Sequence, residues 1–178
     1  MRTFYSYLLS VLLPFIFIGC ESKEDSYPPI GYGYYLAFAD EHGNDLIEGI
    51  GTYSDPSERR MLREKDYSYK LVKPDAKDDF TAPRYIYVSS MDGHSVLEIF
   101  DMLWDGYKCD KKPEVLTRTL VCPYIFGDEK EHSIISYWKY DDGYGSAKLI
   151  RITVDDVEGQ IVEISNSYAP LVIATLKK

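Results

Sequence analysis

Three groups of residues in this 178-residue chain combine types and spacings that chemistry can use. The first is Tyr137-Trp138-Lys139-Tyr140-Asp141-Asp142-Gly143-Tyr144, where aromatic faces suited to stacking on sugar rings sit beside carboxylates suited to binding hydroxyls. Trp138, Tyr140, Asp142 and Tyr144 are the candidate ligand-binding residues, and Tyr144 is the most diagnostic because it stands in a turn and joins no regular face. Strand alternation gives Trp138 and Tyr140 one face with Ile134, and Tyr137 the other with Ile135, so one of the two faces is expected in the core. Core aromatics remain the alternative for the whole group, since a chain with 17 tyrosines makes such clusters by composition.

In the second group, Asp40-Glu41-His42-Gly43-Asn44-Asp45, hard oxygen ligands surround a glycine turn as calcium sites require, with Asp40, Asn44 and Asp45 as the donors. The spacing of an EF-hand loop is missing. A hairpin turn explains the same residues without a metal, Gly43 and Asn44 supplying positive φ and Asp45 capping the backbone. No other cofactor is implied. The third group, Asp141-Asp142, is the sole support for a hydrolase. Neighbours on a strand point to opposite faces, so that pair reads better as a solvated turn.

No catalytic residue can be assigned. His42, His94 and His132 lie far apart, each beside a turn, without an i, i+4 partner or a cysteine at metal spacing, and are expected as exposed loop histidines. No Gly-x-Ser-x-Gly, P-loop or Cys–His pairing suited to a nucleophile is present. Gly31-Tyr32-Gly33 precedes a strand and reads as flexible punctuation, not as a phosphate cradle.

The start of the chain has the features of a secretory signal: Arg2, an apolar run from Tyr7 to Ile18 broken only by Ser10, and Gly19 before Cys20. Phe17-Ile18-Gly19-Cys20 resembles the bacterial lipobox, with Phe17 in place of the usual Leu. The resemblance implies acylation of the Cys20 thiol and cleavage before it. Glu21-Ser22-Lys23-Glu24-Asp25 resembles the Lys-plus-two-acidics export signal of surface lipoproteins from Bacteroidetes bacteria, and Leu36-Ala37-Phe38-Ala39-Asp40 running into Gly43-Asn44-Asp45-Leu46 resembles the opening strand and turn of small proteins of that kind. These resemblances imply an outer-membrane protein held by lipid and facing the cell surface, and bring no activity with them. Residues 1–19 are then the signal peptide and 20–30 the lipidated cysteine with a linker stiffened by Pro28 and Pro29. Residues 31–178 form one domain.

Loss of residues 1–19 removes Arg2 from 20 basic side chains and leaves 29 acidic ones, a net charge of 19 − 29 = −10. Such an acidic chain is poorly suited to nucleic acid or to electrostatic docking on anionic lipid. Once Cys20 carries lipid, Cys109 and Cys122 remain as an even pair in an oxidising compartment, the candidate disulfide.

Period-two alternation recurs between turn signals: Tyr32 to Phe38, Leu46 to Ile50, Tyr67 to Leu71, Tyr85 to Val88, Val96 to Met102, Val115 to Tyr124, His132 to Tyr140, Ala147 to Val154, Ile161 to Ile164 and Leu171 to Leu176. Asp55-Pro56-Ser57-Glu58 carries helix-start signals and predicts one or two helical turns over Arg59 to Glu64. About ten short strands predict an all-β fold, an antiparallel, Ig-like β-sandwich, with a closed lipocalin-type barrel as the alternative if the first and last strands pair around it. The expected function is that of a lipid-anchored surface binding or accessory module whose partner is a glycan or an envelope protein. A structural or adhesive subunit offering its terminal strand is second, and a hydrolase third.

Overall fold

Ile30, Tyr32, Tyr34, Leu36 and Phe38 fall on one face of an eleven-residue strand, β1 (Ile30–Asp40), and all five are buried. Everything else is arranged around that strand. The computed structural model describes residues 30–72, 80–81, 85–103, 114–140, 147–165 and 167–177. In chain order β1 is followed by β2 (Thr52–Ser54), β3 (Arg60–Leu62), β4 (Ser68–Val72), β5 (Phe80–Thr81), β6 (Tyr87–Met91), β7 (His94–Leu103), β8 (Val115–Val121), a one-turn helix α1 (Pro123–Phe126), β9 (His132–Tyr140), β10 (Ala147–Val154), β11 (Val157–Glu158), β12 (Gln160–Val162) and β13 (Leu171–Leu176).

Two sheets pack face to face as a β-sandwich. One has eight strands in the order β12-β13-β1-β7-β6-β3-β2, with β5 also on β7, and the other five in the order β11-β10-β9-β8-β4. First and last strands do pair, but in parallel and inside one sheet, Tyr35 to Asp40 beside Leu171 to Leu176. The described strands therefore form two separate sheets, and the barrel alternative is set aside. The main core joins the inner face of β1 to Leu116 and Leu120 of β8, Ile134 and Trp138 of β9, and Ile152 of β10. A smaller cluster covers the outer face of the larger sheet, where Ala37, Val96 and Leu171 pack under Tyr35, Met91 and Ile164. This second layer explains why β1 is buried on both faces from Leu36 to Ala39.

A fully buried ion pair sits between the sheets. Arg118 of β8 shares its face with Leu116 and Leu120 and meets Asp101 of β7, both 0% exposed. Arg118 Nη1 donates to Ser136 Oγ at 2.9 Å, Trp138 Nε1 donates to the same oxygen at 2.8 Å, and Ser136 Oγ donates to Leu116 O. Burial raises the pKa of Tyr34, whose hydroxyl has no hydrogen-bond partner among the described residues, against a smaller opposite pull from Arg118.

Three expected elements differ. Leu46 to Ile50 is no strand: one bridge, Ala39 with Asp45, ends the pairing, and the chain turns so that Ile50 N–H meets Ile47 O. The helix signals at Asp55-Pro56 belong to the turn of hairpin β2–β3. Asp55 Oδ1 accepts the N–H groups of Ser57 and Arg59, and Glu58 at φ 63° stops helical propagation. Helix occurs instead after Cys122, inside the stretch expected as strand to Tyr124, with Pro123 in its first turn and Gly127, at φ 80°, closing it on Pro123 O. Asp92-Gly93 makes the expected tight turn, both at positive φ, between Met91 and His94.

Candidate functional site

On one side of the sandwich β1 runs past its neighbour. β13 begins at Leu171 opposite Tyr35, so residues 30–34 of β1 have a ladder only to β7. Across the gap lies β10, which β11 covers only at Thr153 and Val154. Between the two edges is a cleft of about 440 Å³, within the range of small-ligand sites, whose walls include Gly31, Gly33, Phe100, Leu149, Ile161 and Tyr168.

Glycine shapes this cleft. A Cβ on Gly33 would stand 2.5 Å from two ring carbons of Phe100, so only glycine lets that ring lie across β1. The ring is held edge-on by Tyr35 with centroids 5.6 Å apart, yet remains 40% exposed. Tyr168 on the rim is fully exposed. Lys148 Nζ pairs with Glu163 Oε1 at 2.8 Å, which lowers the pKa of that carboxyl and places one charge of each sign at the entrance. Gly31 and Gly33 are thus strand residues, in contrast to the punctuation expected of them. Two glycines at i, i+2 among tyrosines are the signal that one face of the strand was cleared.

A larger cleft of about 610 Å³ opens on the opposite side, among Leu62, Tyr67, Cys122, Tyr124 and Glu129. Its aromatic side chains are already engaged: Tyr124 Oη donates to Glu48 O at 2.6 Å and Tyr67 Oη accepts Ile86 N–H. They fasten loops, whereas Phe100 and Tyr168 present faces to solvent.

Where the structure describes the hairpin expected to bind ligand, its inner face packs into the core. Trp138 is 2% exposed and meets Tyr32 edge-to-face at 5.2 Å and Tyr34 at 6.1 Å. Tyr140 is half-buried, its ring against Tyr32 and its hydroxyl bonded to that of Tyr32. The alternation put this face with Ile134, and the buried Ser136–Arg118 contact shows why it turns inward. On the outer face Arg151 lies over the ring of Tyr137. Asp142 and Tyr144 lie outside the described residues, as do Cys20 and Cys109.

The Asp40 to Asp45 segment is a turn in which Asp40 accepts backbone N–H groups of the turn itself and Asp45 accepts those of the residues after it and of β7. Asp40 Oδ1 accepts N–H from His42 and Asn44, and Asn44 Nδ2 donates to Asp40 Oδ2. Asp45 takes the N–H groups of Ile47 and Glu48 on one oxygen and that of Ser95 on the other. Gly43 has φ 81°. Calcium at Asp40, Asn44 and Asp45 would have to displace these bonds. Cys122 is a free thiol among the described residues, 1% exposed, with its pKa pushed up by burial, and its expected partner Cys109 lies outside them.

His132 is not the exposed loop histidine expected of it. Its ring stacks on Phe126 at 3.6 Å, Nδ1 meets Asp155 Oδ2 at 2.5 Å, and Nε2 meets Asp128 Oδ1 at 2.9 Å. Asp128 is its i−4 neighbour, a carboxylate spacing that a search for metal ligands passes over. Burial opposes the charged ring, but the two carboxylates outweigh it and raise the pKa above 6.5. The hydrogen bond from His132, with help from Lys130, holds Asp128 at about 2. The histidine contribution is complete below pH 6.5 and is lost as pH rises through the raised folded-state value. The Asp128 contribution is present above 3.8 and is lost as pH falls toward about 2. Thermal melts should therefore show Tm falling as pH rises above 6.5, with His132→Gln flattening that slope. Identical slopes in the two proteins would show that the clasp does not stabilise the fold.

No family model matches the chain, and searches of the curated proteins and of the solved structures return no match.

Proposed function

We propose that this chain is a lipid-anchored protein of the cell envelope whose sandwich serves as a binding module, with its ligand held in the cleft between β1 and β10. The observation that supports the reading is the pairing of a shaped cleft with two aromatic side chains that the core does not use, Phe100 and Tyr168. Aromatic faces beside a groove favour a ligand with an apolar face, a property shared by sugar rings and extended peptides. The anchor rests on Cys20 and the residues around it, and the outer membrane, facing the cell surface, is the location those residues propose. An adhesive subunit that offers its last strand fits less well, because β13 is already paired on both sides, by β12 and β1.

Tyr168→Ala should weaken binding of a ligand found on glycan or peptide arrays by roughly 1 to 3 kcal/mol while leaving Tm in place, because the ring supports nothing within the fold. Full affinity in that variant would move the site elsewhere. Cys20→Ser should shift the chain from the membrane fraction to the soluble fraction, and mass spectrometry of the wild-type N-terminus should show an acylated cysteine.

A further inference from the structure

We propose that His132 is a latch on the loop between α1 and β9: with its ring charged it ties residues 127–131 to the β10–β11 turn, and with its ring neutral it keeps the turn and releases the loop. The charged ring has two N–H groups and uses both, Nδ1–H on Asp155 Oδ2 at 2.5 Å and Nε2–H on Asp128 Oδ1 at 2.9 Å. A neutral ring has one. Its other nitrogen then turns a lone pair toward a carboxylate oxygen, so two acceptors face each other and one of the two ties must break.

The ring itself is held in place. It stacks on Phe126, Phe126 meets Phe38 of β1 edge-on, and the His132 backbone lies opposite Leu120 in the β8–β9 ladder. Asp155 is held as firmly. It shares a two-residue hairpin turn with Asp156, at φ 46° and 66°, its Oδ1 accepts Ser133 N–H at 2.8 Å, and its own N–H donates to Ser133 O at 2.9 Å. The remaining partners of Asp128, the N–H and Nζ of Lys130, lie in its own loop and move with it. The last proton therefore stays on Nδ1, in the shorter bond, and Asp128 leaves. The charges that face the ring are Asp128 from the loop and Asp155 from the turn, while α1 presents Phe126 and β8 presents Leu120, neither of which titrates. Lys130 acts through Asp128, and Glu131 is paired with Lys70 of β4. Because both facing charges are negative, the latch is shut below pH 6.5 and opens as pH rises through the raised value of the ring. The pair of Glu131 with Lys70, exposed at both ends, is too weak to hold the loop in its place. Glu129 stands in this loop and also in the wall of the larger cleft, beside Tyr124 and Cys122, so the latch sets one wall of that cleft.

The test is an NMR titration of the full, isotope-labelled chain in detergent, in which the shifts of the two ring nitrogens report both the charge of His132 and, once it is neutral, which nitrogen keeps the proton. The expected neutral ring carries its proton on Nδ1. Backbone order parameters of Asp128 to Glu131 should fall from the rigid range near ~0.85 to below ~0.6 with the same midpoint as the ring, while those of Ser133 and Asp155 stay in the rigid range. Asp128→Asn should keep the loop ordered throughout, because an amide accepts from the charged ring through Oδ1 and donates to the neutral one through Nδ2. A neutral ring protonated on Nε2, or a loop that stays ordered while the ring titrates, overturns the latch. A loop midpoint that differs from that of the ring assigns the release to another group and overturns it too. Loss of order at Asp155 together with the loop makes the whole clasp open at once, against a directional latch, and an Asp128→Asn loop that loosens at the wild-type pH removes the proposed exchange of donor and acceptor.

Discussion

Arg118→Ala should destabilise the domain by about 3–5 kcal/mol, read as a shift of the urea midpoint at constant m-value. The loss comes less from the attraction removed than from what remains: Asp101, fully buried, keeps a charge with no partner, and Ser136 Oγ loses a donor. Asp101→Ala should cost a similar amount by stranding the guanidinium. Replacing both together, as Arg118→Met with Asp101→Leu, should recover most of the loss, since a buried pair of charges contributes little net stability over apolar residues of similar volume. A single-site loss below about 1 kcal/mol would mean that water reaches the pair.

Trp138→Ala comes second, at about 3–5 kcal/mol. It empties the space between Tyr32 and Tyr34 and removes the indole N–H from Ser136 Oγ. Trp138 and Arg118 share that serine oxygen, so the double substitution should deviate from the sum of the singles by 0.5 kcal/mol or more, roughly the threshold for coupled neighbours. An unchanged midpoint with reduced ligand binding would instead restore this hairpin as the binding surface.

These two residues mark where the sequence was readable and where it stopped. His132 to Tyr140, Ala147 to Val154 and Leu171 to Leu176 are strands with the bounds that alternation predicts. Alternation also sorted β9 into two faces but could not choose between them, because aromatic residues stood on both. The choice depends on Arg118 beneath, itself legible as a charge among Leu116 and Leu120, with Asp101 its counterpart on the face of Leu97 and Ile99. At Asp55 the same acid serves as helix cap or as turn acceptor, and the left-handed Glu58 decides, a conformation no propensity assigns to glutamate. The cleft was the least legible. It depends on Phe100 lying over Gly33, two residues made opposite by the β1–β7 register, which only the folded sheet fixes.

The parallel ladder of β1 with β13 has a consequence for how the domain assembles. Tyr35 and Leu171 are 136 positions apart, and a parallel partner cannot be delivered by a tight turn. As a ribosome or translocon releases the chain N-terminus first, β1 gains β7 early but waits for nearly the whole domain before its other edge closes. Loop closure on that scale places this fold among slow folders, in the millisecond-to-second range. During that interval β1, the strand with five fully buried inner-face residues, has an open backbone edge from Tyr35 to Asp40. A chaperone that shields this strand would therefore have to act before the last strand arrives, and truncations before Leu171 should aggregate rather than fold.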